Sequence, residues 1–487
     1  MKKRILMRAS VSPFAVHKPI DVICQKVIGN NTGNLLFAYS MTRTLYTEDV
    51  EIDFLADKEV AHGKVQAEYI NENYDYLVLP MANSFRKQFM QCMGMWTSII
   101  EKLTIPVVVT GIGIQMPYEP DVTEEHIYDE CAKKFITAVL NHSASVGVRG
   151  AITESYLKHL GFGSNEIDVT GCPSFAMFGP GLTVRDKKPL TNESAVCVTG
   201  SVANPVKFMI KNRELLPNYY FMPQFVDDLR LMYLGIPLPI TNDSQVLYPH
   251  LINDEVFVND RARFFINFPS ILEFNKNIDF NYGTRIHGAV GSILSGVPSF
   301  VFPTDARIRE LAEYHNVPNM PASEVDENTD IFDIYEKTDF SQVNDGHEQR
   351  FWHFVDFLNA NGLPHIYQDK NRTVVPFDEK IKNIEFEGPI HSLTTCPPNE
   401  MIERIAFGNE LLMKEQKKAV DTLNEDKKEL KAEIKGLKSE QRKLNKSTII
   451  HQQQELRHQE LSTKLLNKRS WHATLCQLLS LCSYSKV

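Results

Sequence analysis

Short apolar runs alternate with longer segments of helical periodicity through the first two-thirds of the chain. The apolar runs are rich in β-branched residues and end in glycines or polar loops, which is typical of strands buried in a parallel sheet. The segments between them have the apolar spacing of amphipathic helices. This alternation predicts a doubly wound α/β fold. The predicted strands are 5–7, 76–80, 105–115, 145–149, 167–171, 195–200, 245–248, 264–267 and 297–302, and the predicted helices include 35–45, 124–140, 151–160 and 303–314.

A segment rich in Gly, Pro, Lys and Asp, residues 179–194, separates two such alternating regions. At 487 residues the chain is too long for one ordinary hydrophobic core. We therefore expect two Rossmann-like domains, residues 1–185 and 190–330. Residues 331–400 have mixed signals, and the sequence leaves open whether they close the second domain or return to the first. Residues 447–487 form a tail rich in Gln, His and Leu.

Leucines recur at every seventh position from Leu423 to Leu444, amid dense lysine and glutamate. Val420 and Ile434 occupy the second apolar position of the same repeat, which a lysine and a glutamine interrupt elsewhere. This heptad pattern predicts a coiled coil over residues 409–446, and with it a homo-oligomer. The alternative is a single solvated helix that is held by ion pairs along its own surface.

The composition is that of a globular protein, with 43% apolar and 23% charged residues. A net charge of -9 argues against a general nucleic-acid binder, so we expect no nucleic-acid partner. The eight cysteines are scattered without a CxxC pair or metal-ligand spacing, which predicts reduced thiols and no metal site. The first residues lack the pattern of a signal peptide and no stretch resembles a transmembrane span, so we expect a cytoplasmic protein.

The stretch 281–303 brings a cation and an imidazole to the start of a short helix. An aromatic approach leads into a tight turn at Gly283 and Thr284, and Arg285 and His287 follow where the helix begins. A guanidinium and an imidazole beside free backbone N–H groups favour an anion-binding site. The alternatives are that Arg285 forms an interdomain ion pair and that His287 is a core residue bonded to a neighbouring strand.

A second helix start follows directly along the chain. Asp305, Arg307, Arg309 and Glu310 come just after the next predicted strand, which ends at 302. Because ligands bind outside the carboxyl ends of strands in doubly wound sheets, we expect these charged residues to lie beside the Arg285 loop.

The first half of the chain offers further ligand contacts at helix starts and strand ends. The candidates are Asn31, Gly33 and Asn34 in a loop that opens a helix, Gly111 and Gly113 after one strand, and Arg149 after another. Glycine permits close backbone approach, and asparagine suits an anion or a sugar hydroxyl. Helix capping alone would also explain the asparagines, and an arginine before a helix is often only a surface residue.

Together these motifs resemble the signature of the polysaccharide pyruvyl transferase family, and the Arg-x-His block is the most specific part. The similar segments are 31–34, 145–149, 169–173, 283–288, 294–298 and 305–315. Three places depart from the family pattern: Asn34, Gly150 and the pair Gly171-Cys172 stand where the family usually has Asp. Each departure removes a carboxylate from the first half of the chain.

The resemblance implies two Rossmann-like domains that face each other across a cleft, as in GT-B glycosyltransferases. It also implies transfer of a pyruvyl group from phosphoenolpyruvate to a sugar as a ketal, with no cofactor. A planar guanidinium suits the carboxylate and phosphate of phosphoenolpyruvate, so Arg285 is the expected clamp. A histidine of near-neutral pKa suits one of the proton transfers, which we expect of His287. The expected substrate-binding residues are Gly283, Thr284, Asp305, Arg307, Arg309, Arg149, Asn31, Gly33, Asn34, Gly111 and Gly113.

Two other functions are compatible with the same residues. A nucleotide-sugar glycosyltransferase of this architecture would also place basic residues at the helix starts of the second domain, to bind a diphosphate. An inactive scaffold that recruits glycan-assembly enzymes through its coiled coil would fit the lost carboxylates.

Overall fold

The computed structural model describes residues 2–201, 216, 218–242, 245, 248–326, 328–369 and 371–444, and for 438–444 it describes the helix alone. Residues Met1–Gly408 form one compact unit, and a second unit begins at Asn409. The first unit contains two parallel sheets, so the predicted α/β class is confirmed. The division into domains 1–185 and 190–330 stays a prediction.

The first sheet has four parallel strands in the order β2-β1-β3-β4. A parallel bridge between Ile112 and Val148 continues it to a further parallel pair, β5 and β6. The strands are β1 (Lys3–Arg8), β2 (Val50–Leu55), β3 (Tyr76–Pro80), β4 (Val107–Thr110), β5 (Val146–Val148) and β6 (Ile167–Val169). The helices of this region are α1 (Pro19–Gln25), α2 (Gly33–Leu45), α3 (Asp57–Ala61), α4 (Ala67–Asn73), α5 (Met90–Ile100), α6 (Asp129–Leu140) and α7 (Ala151–His159), with 3-10 turns at Lys87–Phe89 and Pro173–Ala176.

The second sheet also has four parallel strands, in the order β10-β9-β7-β8. Its strands are β7 (Val196–Thr199), β8 (Tyr219–Phe221), β9 (Phe280–Gly283) and β10 (Ser299–Val301). The helices that follow β8 are α8 (Val226–Leu234), α9 (Glu255–Val258), α10 (Phe268–Asn275), α11 (Ile286–Leu294), α12 (Ala306–Tyr314), α13 (Ile331–Lys337), α14 (His347–Ala360), α15 (Pro376–Ile381) and α16 (Pro398–Leu444). Further 3-10 turns lie at Ala322–Glu324, Phe340–Val343, Ile366–Gln368 and Leu393–Thr395.

Each sheet has a point at which the strand order reverses. In the first sheet the chain runs from β1 outward to β2 and then returns to β3 on the other side of β1; in the second, β8 and β9 flank β7 in the same way. The loops at such a switch point diverge and leave a crevice at the strand carboxyl ends, where ligands of α/β proteins bind. The fold therefore offers one such crevice per sheet.

The two faces of the first sheet have separate cores. Successive side chains of a strand point to opposite faces, so Leu6 packs with one core and Met7 with the other. Helices α5 and α6 cover the first face, with Trp96 fully buried. Helix α14 covers the second face together with α2, through residues such as Phe354 and Met41. The open question of residues 331–400 has a divided answer: α14 crosses back to the first sheet, whereas Ile390 pairs with Phe264 in the second half of the chain.

The predicted strand 264–267 is wrong. Within 264–267 only Phe264 pairs, in an isolated antiparallel bridge with Ile390. The strand cannot continue because the Asn267 side chain caps α10, accepting from the Ser270 N–H at 2.9 Å.

In the predicted strand 245–248, Gln245 lies in a helical turn, and its amide oxygen accepts from the Thr241 N–H at 2.8 Å. Residues 246 and 247 lie outside the described residues. The fourth strand of this sheet is β8 instead, which the sequence analysis missed.

The heptad region lies in one continuous helix, α16, which begins at Pro398, before the predicted start at 409. Leu423, Leu430 and Leu437 are half-buried in the single chain, and Val420 is 45% exposed. Whether this stripe forms a coiled coil stays a prediction. The predicted tail 447–487 lies outside the described residues. Among the residues that are described, no helix combines the length and apolarity that crossing a bilayer requires.

Candidate active site

A cavity of about 320 Å³ lies between the carboxyl ends of the two sheets. The loops after β1, β2 and β3 and the loop before α2 line one side, and the starts of α11 and α12 line the other. Its charged or titratable lining residues are Arg8, Asp57, Arg86, Arg285, His287 and Arg307. Because four arginines accompany a single carboxylate, the cavity is suited to anionic ligands.

The start of α11 is set by the backbone at the end of β9. Gly283 has a φ of +150°, and a Cβ there would collide with the carbonyl oxygen of Thr199 on β7. The Thr284 N–H donates to that same oxygen at 2.9 Å. Gly283 and Thr284 therefore act through their backbone, because they hold the helix start against the switch point of the second sheet.

Arg285 precedes α11 and lines the cavity. Its guanidinium carbon lies 4.4 Å from the centroid of the Phe225 ring, and its Nε donates to Oε1 of Gln224 at 3.4 Å. No described carboxylate forms an ion pair with it, so the interdomain ion pair is not observed among these residues. Burial, followed by the charge of Arg307, lowers the pKa of Arg285 to about 10. A bound anion would relieve both effects.

His287 is the second residue of the same helix. Its Nε2 is buried and has no hydrogen-bond partner within the described residues. Its ring meets Phe37 edge-on, with centroids 6.5 Å apart. Burial, and then the charges of Arg149, Arg285 and Arg307, lower the pKa of the imidazole well below its ordinary value. In the unliganded site it is therefore a neutral ring with a nitrogen able to exchange a proton with a ligand.

Arg307 lines the cavity next to this pair. Its Nη2 donates to Oδ2 of Asp305 at 3.2 Å, and the other oxygen of Asp305 accepts from the Ile308 N–H at 2.9 Å. Asp305 thus caps α12 and holds Arg307 at the same time. The structure brings both residues to the predicted place, with the charge of Arg307 partly neutralised.

Arg309 lies apart from the other predicted residues. Its Nε donates to Oε1 of Glu313 at 2.7 Å, and its Nη1 donates to the carbonyl oxygen of Tyr118 at 3.2 Å. It is not among the residues that line the cavity. Arg307 points into the cavity and Arg309 does not, because residues two apart on a helix face different directions.

The loop before α2 carries the predicted Asn31, Gly33 and Asn34. The Gly33 N–H donates to Oδ1 of Asn31 at 2.9 Å, and Nδ2 of Asn34 donates to the carbonyl oxygen of Ile28 at 2.9 Å. Both asparagines line the cavity, yet these bonds also hold the loop and the helix start. A Cβ on Gly33 would collide with Nδ1 of His287, so glycine is what lets the imidazole approach.

Backbone bonds join this loop to the loop after β8. Asn31 and Phe225 form an antiparallel bridge, and the Thr32 N–H donates to the carbonyl oxygen of Gln224 at 3.0 Å. The Val226 N–H donates in turn to the carbonyl oxygen of Asn30 at 3.1 Å. The two halves of the cavity are therefore tied together on this side.

Arg149 is fully buried, so the alternative that it is only a surface residue is wrong. None of its three guanidinium nitrogens has a hydrogen-bond partner among the described residues, and its Cζ lies 5.8 Å from the centroid of the Phe37 ring. Burial lowers the pKa of Arg149. Gly111 and Gly113 do not line the cavity; a Cβ on Gly113 would come within 3.4 Å of the Arg149 side chain.

Glu310, in α12, is a buried carboxylate that the sequence places at this helix start without assigning it a role in the site. Its oxygens accept from the Thr153 N–H at 2.8 Å and from the Thr153 hydroxyl at 2.7 Å, and so cap the start of α7. Burial raises the pKa of Glu310 to about 7. A Cβ on Gly150 would lie 2.7 Å from Cβ of Glu310 and 2.9 Å from its Cγ. One departure from the family pattern, Gly150, is therefore filled by a carboxylate from another element.

The departure at Gly171 is filled in the same way. Gly171 has a φ of +70°, and a Cβ there would collide with His315, which directly follows α12. The Cys172 N–H donates to Nε2 of His315 at 2.9 Å, and the imidazole stacks on Phe175 with centroids 3.9 Å apart. Burial lowers the pKa of His315 well below its ordinary value, so it is a neutral acceptor.

Arg8 and Arg86 are two further cavity residues that the site prediction missed. Arg8 ends β1, and Arg86 lies in the loop after β3. Their position at the carboxyl ends of strands could have identified them, because ligands bind there in α/β proteins. Arg8 donates to both oxygens of Asp57, at 2.7 and 2.5 Å. No cluster of three His, Cys, Asp or Glu side chains able to hold a metal ion occurs in the described part of the chain.

Comparison with known protein families gives one match over more than half of the chain. The family described as polysaccharide pyruvyl transferase matches residues 31–306. The chain belongs to the polysaccharide pyruvyl transferase family. It is therefore a transferase, and a sugar or glycan acceptor follows from that family. The matched residues include Asn31, Arg149, Arg285 and His287, so the resemblance drawn from the sequence is confirmed.

Several solved structures are similar over most of this chain at low sequence identity. A UDP-GlcNAc 2-epimerase from Neisseria meningitidis matches with 8% identity and a TM-score of 0.40, over 74% of this chain and 100% of that one. One from Methanocaldococcus jannaschii matches with 10% identity and a TM-score of 0.39, over 73% and 100%. The glycosyltransferase SnogD from Streptomyces nogalater matches with 12% identity and a TM-score of 0.29, over 74% and 99%. At these scores the likeness carries no conclusion about fold or activity. No curated protein matches the sequence.

Proposed function

We propose that this transferase moves a pyruvyl group from phosphoenolpyruvate to a sugar of a glycan or glycan precursor, as a ketal. The observation that carries the proposal is that two described residues lie at one end of a cationic cavity: Arg285, a cation without a carboxylate partner among the described residues, and His287, a neutral imidazole whose Nε2 has no partner among them. Phosphoenolpyruvate has a carboxylate and a phosphate on one small carbon frame, so it requires several cations close together.

Three arginines can share the charges of the donor. Arg285 offers a planar fork to a carboxylate or phosphate, and Arg307 lies beside it with its charge partly compensated by Asp305. Arg149 does not line the cavity, but its charge acts on His287, and it is buried without hydrogen-bond partners in the described chain. A dianionic group nearby would offset the cost of burying this cation, which is on the order of several kcal/mol.

His287 suits the proton transfers. Formation of the ketal joins two sugar oxygens to C2, places a proton on C3 and breaks the bond between C2 and the phosphate oxygen. Of the two hydroxyl protons released, one ends on C3 and the other on the departing phosphate, so no oxidant or reductant is required. A neutral imidazole can take a hydroxyl proton first and return it later. Bound donor anions would raise its pKa again, because they offset the three arginines.

A nucleotide-sugar glycosyltransferase remains the main competing function, since the same cations would bind a diphosphate. The inactive scaffold is less well supported by the side chains. Two of its motivating losses, at Gly150 and Gly171, are filled by Glu310 and His315 rather than left empty. The residues on the donor side are also all present.

Release of phosphate tests the proposal directly. The full chain is incubated with phosphoenolpyruvate and a panel of glycan acceptors, and free phosphate and the acceptor's mass are measured. We expect phosphate release that depends on an acceptor and on His287, so that His287→Ala and His287→Gln abolish it while each variant still unfolds cooperatively. Turnover with nucleotide sugars alone would establish the glycosyltransferase. Retention of the in-cell glycan phenotype in both variants would support the scaffold.

A further inference from the structure

We propose that the acceptor carries an anionic group, a phosphate or a carboxylate, and that Arg86 binds it at the switch point of the first sheet. The inference rests on the proposed function, since it concerns the second substrate of the same cavity. It follows from where the cavity lies, from which of its cations are already paired, and from what the donor leaves unused.

The cavity extends from the donor residues to the switch point of the first sheet. Ser10 follows β1, whereas Asn83, Ser84 and Arg86 follow β3, and these strands are the pair between which the strand order reverses. All four line the same cavity as His287. A ligand at this switch point would therefore reach toward the reacting end, which is the position required of an acceptor.

The positive charges along this path differ in their partners. Arg8 is neutralised, because Nε and Nη2 both donate to Asp57 and Nη1 donates to the carbonyl oxygen of Pro80 at 2.8 Å. Asp57 is in turn fully engaged, since it also accepts from Nε1 of Trp96 at 3.0 Å. Among the described lining residues, the single carboxylate thus has its close contacts with Arg8 and Trp96, and it acts on Arg86 only at longer range.

Arg86 is the cation without a partner at this end. Within the described chain it forms no ion pair and no side-chain hydrogen bond, and its Cζ lies 5.7 Å from the centroid of the Phe89 ring. It is half-buried, and burial together with the charges of Arg307 and Arg8 lowers the pKa of Arg86. An arginine held among other arginines without a counter-charge is unfavourable until an anion arrives.

The donor does not account for Arg86. Arg285 and Arg307 already line the cavity beside His287, and the buried Arg149 adds its charge there, so the anionic groups of phosphoenolpyruvate have counter-charges without Arg86. A neutral sugar would leave the charge of Arg86 uncompensated, whereas an acceptor with a phosphate or carboxylate would form charge-assisted hydrogen bonds with its guanidinium. The geometry therefore favours an acidic or phosphorylated saccharide over a neutral one.

The test compares three probes on protein saturated with phosphoenolpyruvate: glucose 1-phosphate, glucuronate and glucose, by calorimetry. We expect wild type to bind at least one anionic probe roughly tenfold or more tightly than glucose, and Arg86→Ala to lose that preference. The stronger of the two anionic probes identifies phosphate or carboxylate. Lys87→Ala, at an exposed cation outside the cavity, is the matched control and should behave as wild type.

The outcomes separate this inference from the proposed function. One possible result is that phosphoenolpyruvate binds wild type and Arg86→Ala equally while neither protein prefers the anionic probes. That result rejects the anionic acceptor and leaves the proposed function intact. If Arg86→Ala weakens phosphoenolpyruvate as strongly as Arg285→Ala does, Arg86 belongs to the donor site and the inference is wrong. If phosphoenolpyruvate fails to bind wild type at all, the proposed function itself is lost.

Discussion

Arginines of this chain differ in function because they differ in partners. Arg309 is paired with Glu313 and Arg307 with Asp305, whereas Arg285 has only the amide oxygen of Gln224 and the face of Phe225. A guanidinium without a carboxylate keeps its full charge for a ligand. The arginines that are available to bind a ligand are therefore those without a carboxylate partner.

Replacement of Arg285 by alanine should weaken binding of phosphoenolpyruvate by ~1.5–3 kcal/mol, the contribution of a charge-assisted contact. Calorimetric titration of the free enzyme measures it. Arg309→Ala is the matched control, since it removes an arginine from the neighbouring helix that does not line the cavity. An affinity unchanged in Arg285→Ala would remove this residue from the donor site.

At the scale of elements, α12 completes two loops of the first half of the chain. Glu310 caps α7 beside Gly150, and His315 accepts from the Cys172 N–H beside Gly171. In both places the glycine leaves the space that a side chain from α12, or from the residue that follows it, occupies. The aspartate that the family usually has in place of Gly150 would thus occupy the same space as Glu310.

This exclusion predicts a compensating pair of substitutions. Gly150→Asp alone should destabilise the protein by about 1–3 kcal/mol, because its side chain would overlap Glu310. Glu310→Ala alone should cost about 1–3 kcal/mol, because the Thr153 donors and the buried Arg149 lose their nearby carboxylate. The double variant should lose at least about 1 kcal/mol less stability than the sum of the two single losses, since the new Asp can cap α7.

Urea unfolding of the three variants measures these differences. The φ of -175° at Gly150 is open to any residue, so backbone strain does not complicate the comparison. Gly94→Ala, in α5, is the control, because a Cβ there meets nothing within 4 Å and should leave stability unchanged or slightly raised. Strict additivity of the two substitutions would contradict the shared volume.

At the scale of the molecule, the cavity depends on both sheets and on α14, the helix that returns to the first sheet after the second is complete. The loop before α2 pairs with the loop after β8, and the Ala306 N–H at the start of α12 donates to the carbonyl oxygen of Met116 at 3.1 Å. The unit Met1–Gly408 therefore contains all the residues proposed for the site.

Removal of residues 409–487 should lower the number of chains per particle and leave this unit folded. Light scattering measures the mass, and phosphoenolpyruvate binding reports on the site. A second variant keeps the full length and places lysine at two heptad positions, Leu423→Lys and Leu430→Lys, which should lower the number of chains per particle equally. If both variants keep the wild-type number of chains per particle, the heptads belong to a helix that does not associate.

Local sequence determined much of this protein. The strands of the first sheet other than β2, which the sequence analysis missed, α11 and the Arg-x-His helix start follow from short-range patterns, because strand burial, helix capping and the glycine requirement at Gly283 are properties of a few neighbouring residues. The same patterns identified Arg285 and His287. They failed at 264–267, where the composition suits a strand but the Asn267 side chain caps α10.

Only the tertiary structure decided which charges are free. Nothing in the local sequence distinguishes Arg307 and Arg309, or shows that Asp57 neutralises Arg8 while Arg86 stays without a carboxylate. The role of Glu310 depends likewise on Gly150, which lies far from it along the chain. Pairing of charges and filling of volume are set by distances across the fold, so they appear only once the two sheets have brought their loops together.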